Sequence, residues 1–194
     1  MAWLVGVSAL LAFPAVGTFG QENLAAGTAP NPAEGRELIG RPAPEWSVTN
    51  WINSPPLSLR ALKGKVVLVR WWTAPGCEFC VASAPALDEF DRLYRDKGLV
   101  VIGFYHHKAP TPLDPAEVKE ETQRFGFQFP VAVDPEWRTL RRWWLAGHDR
   151  RWTSVSFLID RKGIIRHLHP GGAYVKGDPG YEELKRKIEQ LLSS

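Results

Sequence analysis

Residues 64–85, GKVVLVRWWTAPGCEFCVASAP, lead from an apolar run directly to the two cysteines of the chain, Cys77 and Cys80. The apolar run is continuous and rich in β-branched residues, which is typical of a strand covered on both faces. Beyond Cys80 the apolar side chains recur at helical spacing as far as Tyr94, and Gly98 then favours a left-handed helix end. The stretch therefore predicts a buried strand followed directly by a helix, with the cysteine pair at the junction.

The segments that follow continue this alternation of strands and helices. Residues 99–105 are a second buried-strand run, and the helical crossover predicts that the two strands are parallel. Asp114, Pro115 and Glu117 then supply an N-cap, a first-turn proline and a capping box for another helix. The remaining predicted elements are two antiparallel strands and a closing helix, at residues 154–160, 164–169 and 180–192. The order β, α, β, α, β, β, α resembles that of thioredoxin, a thioredoxin-like α/β fold with a central mixed sheet flanked by helices.

Residues 1–20 are predicted to be a signal peptide or a membrane anchor. Residues 2–19 carry no charged side chain and are mostly apolar, and their length lies at the boundary between these two kinds of segment. A buried core helix is a third interpretation. Residues 21–44 are rich in Ala, Gly, Pro and Asn, which predicts a flexible linker that would act as a membrane tether if the anchor is retained. The thioredoxin-like domain is then predicted to occupy residues 45–194.

The charge of the chain does not predict a nucleic-acid partner. The 24 basic and 21 acidic residues leave a net charge of only +3. An exported protein would also meet little nucleic acid. The apolar segment at residues 2–19 predicts that the protein is periplasmic or otherwise extracytoplasmic, either free or anchored in the membrane.

A cysteine pair at this position can serve as a structural disulfide, a metal site or a redox centre. A disulfide that closes so short a loop constrains the unfolded chain little, so it would be a weak structural staple. At the first turn of a helix, unpaired backbone N–H groups favour the thiolate of Cys77. Cys77 would attack a substrate disulfide, and Cys80, about one turn deeper, would then close the internal disulfide. Glu78 opposes the thiolate by like-charge repulsion, which predicts a reducing couple.

Several motifs in a specific order carry a resemblance to one family. They are GRPAPEWSV (40–48), LSLRALKGKVVLVRWW (57–72), CEFC (77–80), Pro85 in the following helix, FPVAVDPEW (129–137) and SFLIDRKGIIRHLHPGG (156–172). Over residues 40–192 the chain thereby resembles the redoxins of the TlpA and ResA type, which are thioredoxin-fold thiol-disulfide oxidoreductases. The resemblance implies that the protein reduces protein disulfides outside the cytoplasm, takes electrons from a membrane-bound donor and needs no cofactor.

Two histidines follow the second long strand. Because parallel strands end at the same edge of a sheet, His106 and His107 could lie near Cys77 and Cys80. In the family that the chain resembles, an acidic residue near this point assists proton transfer, and its position falls on His107. His107 is therefore a candidate proton carrier, with an ordinary solvated strand end as the alternative.

The resemblance also draws attention to Ser154 and to two tryptophans. Ser154 stands where the family has a cis-proline that faces the cysteines. A cis bond before a non-proline residue costs about 3 kcal/mol, so the bond from Thr153 to Ser154 is predicted to be trans. Trp72 and Trp152 are interpreted either as core residues or as residues that flank the cysteine pair and grip an apolar peptide.

A copper-binding chaperone of the same fold is the alternative function. The thiolates of Cys77 and Cys80, together with a nearby histidine, are ligands that suit copper(I). In the family, the proline that Ser154 replaces keeps metals away from the cysteines. The redox function is the preferred prediction, and no resident metal is predicted for it.

Overall fold

A six-stranded sheet organises residues 30–194, the part of the chain that this computed structural model describes. The strands are β1 (Trp51–Ile52), β2 (Val66–Trp72), β3 (Leu99–Tyr105), β4 (Val131–Val133), β5 (Ser156–Ile159) and β6 (Ile165–His169). The helices are α1 (Glu78–Tyr94), α2 (Pro115–Arg124), α3 (Arg138–Leu140), which continues as a π-helical turn (Arg141–Leu145), and α4 (Pro179–Leu192). The predicted signal or anchor segment lies outside the described residues. No helix within residues 30–194 is long and apolar enough to cross a membrane.

The strands are arranged in the order β1–β4–β3–β2–β5–β6, with parallel strands at the centre. β2 pairs in parallel with β3 along its whole length, and β4 extends the parallel set. β1, β5 and β6 are antiparallel to their neighbours. The predicted thioredoxin-like α/β fold with a mixed sheet is therefore confirmed, and α1 begins just beyond the carboxyl end of β2.

Every residue of β2 is buried, because the strand has packed layers on both faces. On one face, Val66 and Leu68 pack in the core that includes side chains of α1, α2 and α4. On the other face, Val67 and Val69 pack against a layer rich in aromatic side chains. The buried tryptophans of that layer are Trp46, Trp71, Trp143 and Trp144. The alternation follows the strand pleat and holds the end of β2, next to the cysteines, in a rigid setting.

Most of the predicted elements are confirmed, but the predicted order lacks the strands β1 and β4 and the short helix α3. β3 has the predicted bounds, and Gly98 takes the predicted left-handed conformation, with φ of 100°. α2 begins at Pro115, where the carboxylate of Asp114 accepts a hydrogen bond from Ala116 N–H at 2.8 Å. β1 and β4 contain only two and three residues, which is too short for a periodic pattern. Their positions are fixed by pairing instead, because β1 pairs with β4 and β4 pairs with β3.

Residues 30–44 depart from the predicted flexible linker, because they lie against the domain. The N–H of Gly40 donates to the carbonyl of Ile165 at 2.8 Å. Gly35 approaches the Trp144 ring so closely that an added Cβ would lie 2.6 Å from a ring atom. Composition does not reveal these contacts, since they use backbone groups and the absence of a side chain rather than large apolar residues.

The carboxylate of Asp134 caps the start of α3. It accepts hydrogen bonds from the backbone N–H groups of Arg138, Thr139 and Leu140 at 3.1, 2.9 and 3.2 Å. Asp134→Ala is expected to lower the free energy of unfolding by about 1 to 2 kcal/mol, because these N–H groups would lose their acceptor. Urea unfolding measures the change, with the exposed Asp96→Ala as the matched control. Equal effects of the two substitutions would contradict the capping role.

Candidate active site

Cys77 and Cys80 form a disulfide bond at the amino-terminal end of α1. Cys77 is the N-cap residue, and its Sγ accepts a hydrogen bond from the backbone N–H of Cys80 at 3.2 Å. Cys77 is partly exposed, whereas Cys80 is only 2% exposed. Solvent and substrates therefore reach the Cys77 sulfur far more readily. After reduction, the same N–H group would stabilise a thiolate on Cys77.

An open cavity of about 350 Å³ lies beside the disulfide. It is formed by the loop from β2 to α1, by residues that follow β3 and by residues that precede β5. The carboxyl ends of β2 and β3 meet here because these strands are parallel, and β5 begins here because it is antiparallel to β2. The topology thus brings three separate chain segments to the cysteine pair. The wall includes Thr73, Glu78, His106, Trp152 and Ser154.

The structure places Glu78 and Ser154 on the cavity wall, as the sequence analysis expected, but not Trp72. The Trp72 ring is buried and packs edge-on against Tyr105 and Phe127, at centroid distances of 5.1 and 5.5 Å. It lies on the same face of β2 as the apolar residues that contact the helices. The core interpretation therefore holds for Trp72.

His106, rather than His107, lies on the cavity wall. His107 Nε2 donates to the carbonyl of Thr111 at 2.6 Å, and its Nδ1 lies 3.0 Å from the Tyr105 hydroxyl. His106 is fully buried, and its Nε2 lies 2.9 Å from the hydroxyl of Thr153. Successive residues of an extended chain point to opposite sides, so only one of the two histidines faces the cavity. The expectation for His107 is thus corrected by its placement.

The environment of His106 keeps its imidazole neutral. Burial, helped by the positive charge of Lys108, lowers the pKa of His106 to about 3. The ring packs edge-on against Trp137 at a centroid distance of 5.1 Å. So weak a base is poorly suited to store a proton at neutral pH. His106 is better suited to hold Thr153 in place on the cavity wall.

Ser154, which is predicted to stand at the position of the family's proline, is not preceded by a cis bond. Within residues 30–194 the one cis peptide bond joins Ala74 to Pro75, so the Thr153–Ser154 bond is trans, as predicted. Ser154 is buried, and its carbonyl accepts a hydrogen bond from the Arg70 guanidinium at 2.5 Å. A side chain from a neighbouring strand therefore holds this segment.

Two aromatic side chains flank the disulfide on its exposed side. Phe79, which lies between the two cysteines, is 39% exposed, and its ring packs edge-on against Trp152 at a centroid distance of 5.1 Å. Both rings line the disulfide cavity and a second, neighbouring cavity of about 600 Å³. Trp152 thus has the flanking position that was one of its two predicted alternatives. Phe79 was not among the predicted site residues, because a single apolar residue carries no signal of a contact surface in the sequence.

The cavity wall presents no evident third ligand for copper. Within residues 30–194, no three His, Cys, Asp or Glu side chains are grouped so that they could hold a metal ion. His106 directs its Nε2 to Thr153. The residues present therefore offer copper(I) two thiolates, and the His106 imidazole on the same wall is not grouped with them as a third ligand.

Sequence comparisons agree on one family. A profile of the family described as Redoxin matches residues 39–184. Protein DipZ of Mycobacterium tuberculosis is 32% identical over 149 residues, which cover 75% of this chain and 20% of DipZ. The thiol-disulfide oxidoreductase ResA of Bacillus anthracis is 30% identical over 127 residues, or 66% of each chain. The thiol:disulfide interchange protein DsbE of Allochromatium vinosum is 31% identical over 137 residues, covering 69% of this chain and 67% of DsbE. The chain therefore spans about a fifth of DipZ and about two thirds of ResA and DsbE.

Solved structures share the fold. A thiol-disulfide isomerase from Corynebacterium glutamicum superposes with a TM-score of 0.59 at 30% identity, covering 78% of this chain and 97% of that one. A thiol:disulfide interchange protein of the thioredoxin family from Chlorobium tepidum superposes with a TM-score of 0.60 at 21% identity, covering 78% and 95%. At the lower identity the likeness supports the fold alone.

Proposed function

The chain belongs to the redoxin family, with the fold of its TlpA- and ResA-like members, and on that premise we propose that it reduces protein disulfides outside the cytoplasm through Cys77 and Cys80. The asymmetry of the disulfide carries the proposal. Cys77 is accessible at the start of a 17-residue helix, and Cys80 is buried behind it. One accessible and one buried sulfur suit an attack followed by internal closure.

The exchange would begin with the reduced protein. The Cys77 thiolate attacks one sulfur of a substrate disulfide, forms a mixed disulfide and releases the other substrate sulfur as a thiolate, which takes up a proton. Cys80 then loses its proton and attacks Cys77 Sγ, which releases the second substrate thiol. Two electrons pass to the substrate, and the protein is left with the Cys77–Cys80 disulfide that the structure contains. A membrane-bound donor is the proposed source of the electrons that restore the dithiol.

Water in the open cavity is the proposed acceptor of the proton that leaves Cys80. His107 makes its hydrogen bonds to Tyr105 and Thr111, away from the cavity. His106 is a weak base because burial holds its pKa low. Neither imidazole therefore fits the proton-carrier role that the sequence suggested for His107, and the cavity beside the disulfide is open to solvent.

Phe79 and Trp152 would form the contact surface for the substrate. Their rings pack together beside Cys77 and remain partly exposed. A peptide with an apolar residue next to its cysteine would cover these rings as the mixed disulfide forms. Glu78, exposed between the cysteines, would favour the reducing direction by its charge, although solvent screens much of this effect. The apolar segment at residues 2–19 supports the extracytoplasmic location.

The reduction potential and insulin reduction test this proposal. We expect the reduced protein to reduce insulin disulfides, with a potential of about −270 to −200 mV, in the range of thioredoxin and glutaredoxins. Equilibration with glutathione or dithiothreitol, followed by mass spectrometry of alkylated protein, measures the potential. A reduction potential of about −120 mV would show that the protein is an oxidant instead. Failure to exchange with any dithiol would exclude the whole class of activity.

A further inference from the structure

Arg70 is a fully buried arginine within the otherwise apolar strand β2. Its hydrogen-bond acceptors within residues 30–194 are carbonyl and hydroxyl oxygens, and none of them is a carboxylate. Burial of a charge without an ionic partner is costly. An apolar residue would fill the position at lower cost, so packing alone does not account for the arginine.

Two hydrogen bonds of Arg70 hold loops beside the active site. Nη1 donates to the carbonyl of Ser154 at 2.5 Å, and Nη2 donates to the carbonyl of Gly172 at 2.7 Å. Ser154 lines the disulfide cavity, and Gly172 lines the neighbouring cavity. The ring of Tyr174 covers the guanidinium, with Cζ 4.9 Å from the ring centroid. One side chain therefore fixes both loops to the central strand.

The same guanidinium lies close to the first turns of α1. Its Nη2 is 3.4 Å from the hydroxyl of Ser83, which donates to the carbonyl of Phe79 at 2.8 Å. Ser83 is buried and lies about one turn beyond Cys80 on α1. The contact thus ties the cysteine-bearing end of α1 to the network around Arg70.

The positive charge of Arg70 acts on the disulfide cavity. It is one of the causes that lower the pKa of His106, which lies on the cavity wall. Burial lowers the pKa of Arg70 itself, but arginine loses its proton so reluctantly that the side chain stays charged at neutral pH. A buried cation favours an anion in its surroundings, and reduction of the disulfide creates one as a thiolate.

We propose that Arg70 is a positioning residue that holds the Ser154 segment against the disulfide, and that its unpaired charge stabilises the dithiol form of Cys77 and Cys80. The inference rests on the proposed function and deepens it. Stabilisation of the reduced form makes a couple less reducing. Arg70 would thereby raise the reduction potential of the Cys77–Cys80 couple, whereas the charge of Glu78 lowers it. Its hydrogen bond to Ser154 would also fix the segment that a proline shapes elsewhere in the family.

Substitutions that separate charge from shape test the proposal. Arg70→Met removes the buried charge. With an effective dielectric constant of about 20, we expect the redox equilibrium to shift roughly tenfold toward the disulfide. For a two-electron couple this corresponds to a reduction potential lower by about 30 mV. The pKa of the Cys77 thiol, followed by thiolate absorbance, should rise in the same variant. Arg70→Lys loses the contact with the two carbonyls, so exchange with peptides should slow. Arg92→Met, at an exposed site on α1, is the matched control.

The outcomes distinguish this inference from the proposed function. If Arg70→Met retains the equilibrium and the thiol pKa of the native protein, the inference is wrong, whatever the exchange activity. If Arg70→Met does not fold, Arg70→Gln removes the charge and keeps a hydrogen-bond donor, and it should show the same shift. An equal shift in the control Arg92→Met would also overturn the role of the buried charge. Absence of exchange in the unaltered protein would instead overturn the proposed function.

Discussion

Cys77→Ser is expected to lower the rate of disulfide exchange by roughly a thousandfold or more, because it removes the only sulfur that substrates reach readily. Cys80 cannot replace it, since only 2% of that residue is exposed. The measurement is the rate of reduction of an insulin or peptide disulfide by the dithiothreitol-reduced protein. Serine keeps the size and the N-cap hydrogen bond, so the start of α1 should be preserved. A residual rate within tenfold of the native rate would contradict the assignment.

Cys80→Ser is the matched control, and its expected behaviour is different. The first attack by Cys77 should proceed, but the mixed disulfide cannot be released internally and should accumulate. Incubation with a disulfide-bonded peptide, followed by non-reducing electrophoresis and mass spectrometry, detects the adduct. If Cys77→Ser forms the stable adduct and Cys80→Ser does not, the roles of the two cysteines are reversed. In an extract of the source cell the same variant would capture the natural substrate.

The centre of the fold was predictable because its elements carry complete local signals. β2 and β3 are each seven residues long and almost entirely buried, so each appears as a continuous apolar run. α1 begins where that run meets the cysteines and ends near the left-handed Gly98. This unit alone brings the cysteine pair to the carboxyl end of a parallel sheet. The class of chemistry therefore followed from residues that are close together in the sequence.

The side-chain detail of the site was less predictable, because it depends on alternation at the ends of strands. If the alignment to the family is displaced by one residue, His107 takes the place of His106 on the cavity wall. Alignment of short motifs is not accurate to one residue, so it could not distinguish the two histidines. The same limit applies to Trp72, which lies only five residues from Cys77 and yet packs in the core. Trp152 is remote in sequence but flanks the cysteines, since β5 returns beside β2.

Arg70 shows a different limit of sequence reasoning. A charged residue within VVLVRWW is visible, but its acceptors at Ser154 and Gly172 lie 84 and 102 residues further along the chain. Nothing local in the sequence specifies such contacts. The contacts of residues 30–44 are of the same kind, because Gly40 finds its acceptor at Ile165. Hydrogen bonds to backbone carbonyls that are distant in the sequence therefore account for many of the contacts that could not be predicted.

A buried histidine, His106, and a partly buried one, His169, connect the packing around the active site to stability. Burial lowers the pKa of His106 and of His169 to about 3, and the charge of Arg70 contributes at both positions. Each folded-state value lies below the ordinary value of 6.5 that is expected in the unfolded chain. Below pH 6.5 the unfolded chain therefore binds protons that the folded protein does not. The stability linked to these groups is present above pH 6.5 and is lost as the pH falls toward 3.

Acidification from pH 7 to pH 5 is therefore expected to reduce the free energy of unfolding by about 2 kcal/mol for each histidine, or about 4 kcal/mol together. Urea unfolding at a series of pH values measures the loss. In His106→Gln the pH-dependent loss should fall by about 2 kcal/mol, because glutamine does not bind the proton. His107→Gln is the matched control for loss of an imidazole, since His107 is partly exposed and lies outside the cavity. Carboxylates contribute equally to all of these variants, so the differences isolate the histidines. Identical pH profiles for His106→Gln and the native protein would show that His106 binds its proton in the folded state and is not held neutral by burial.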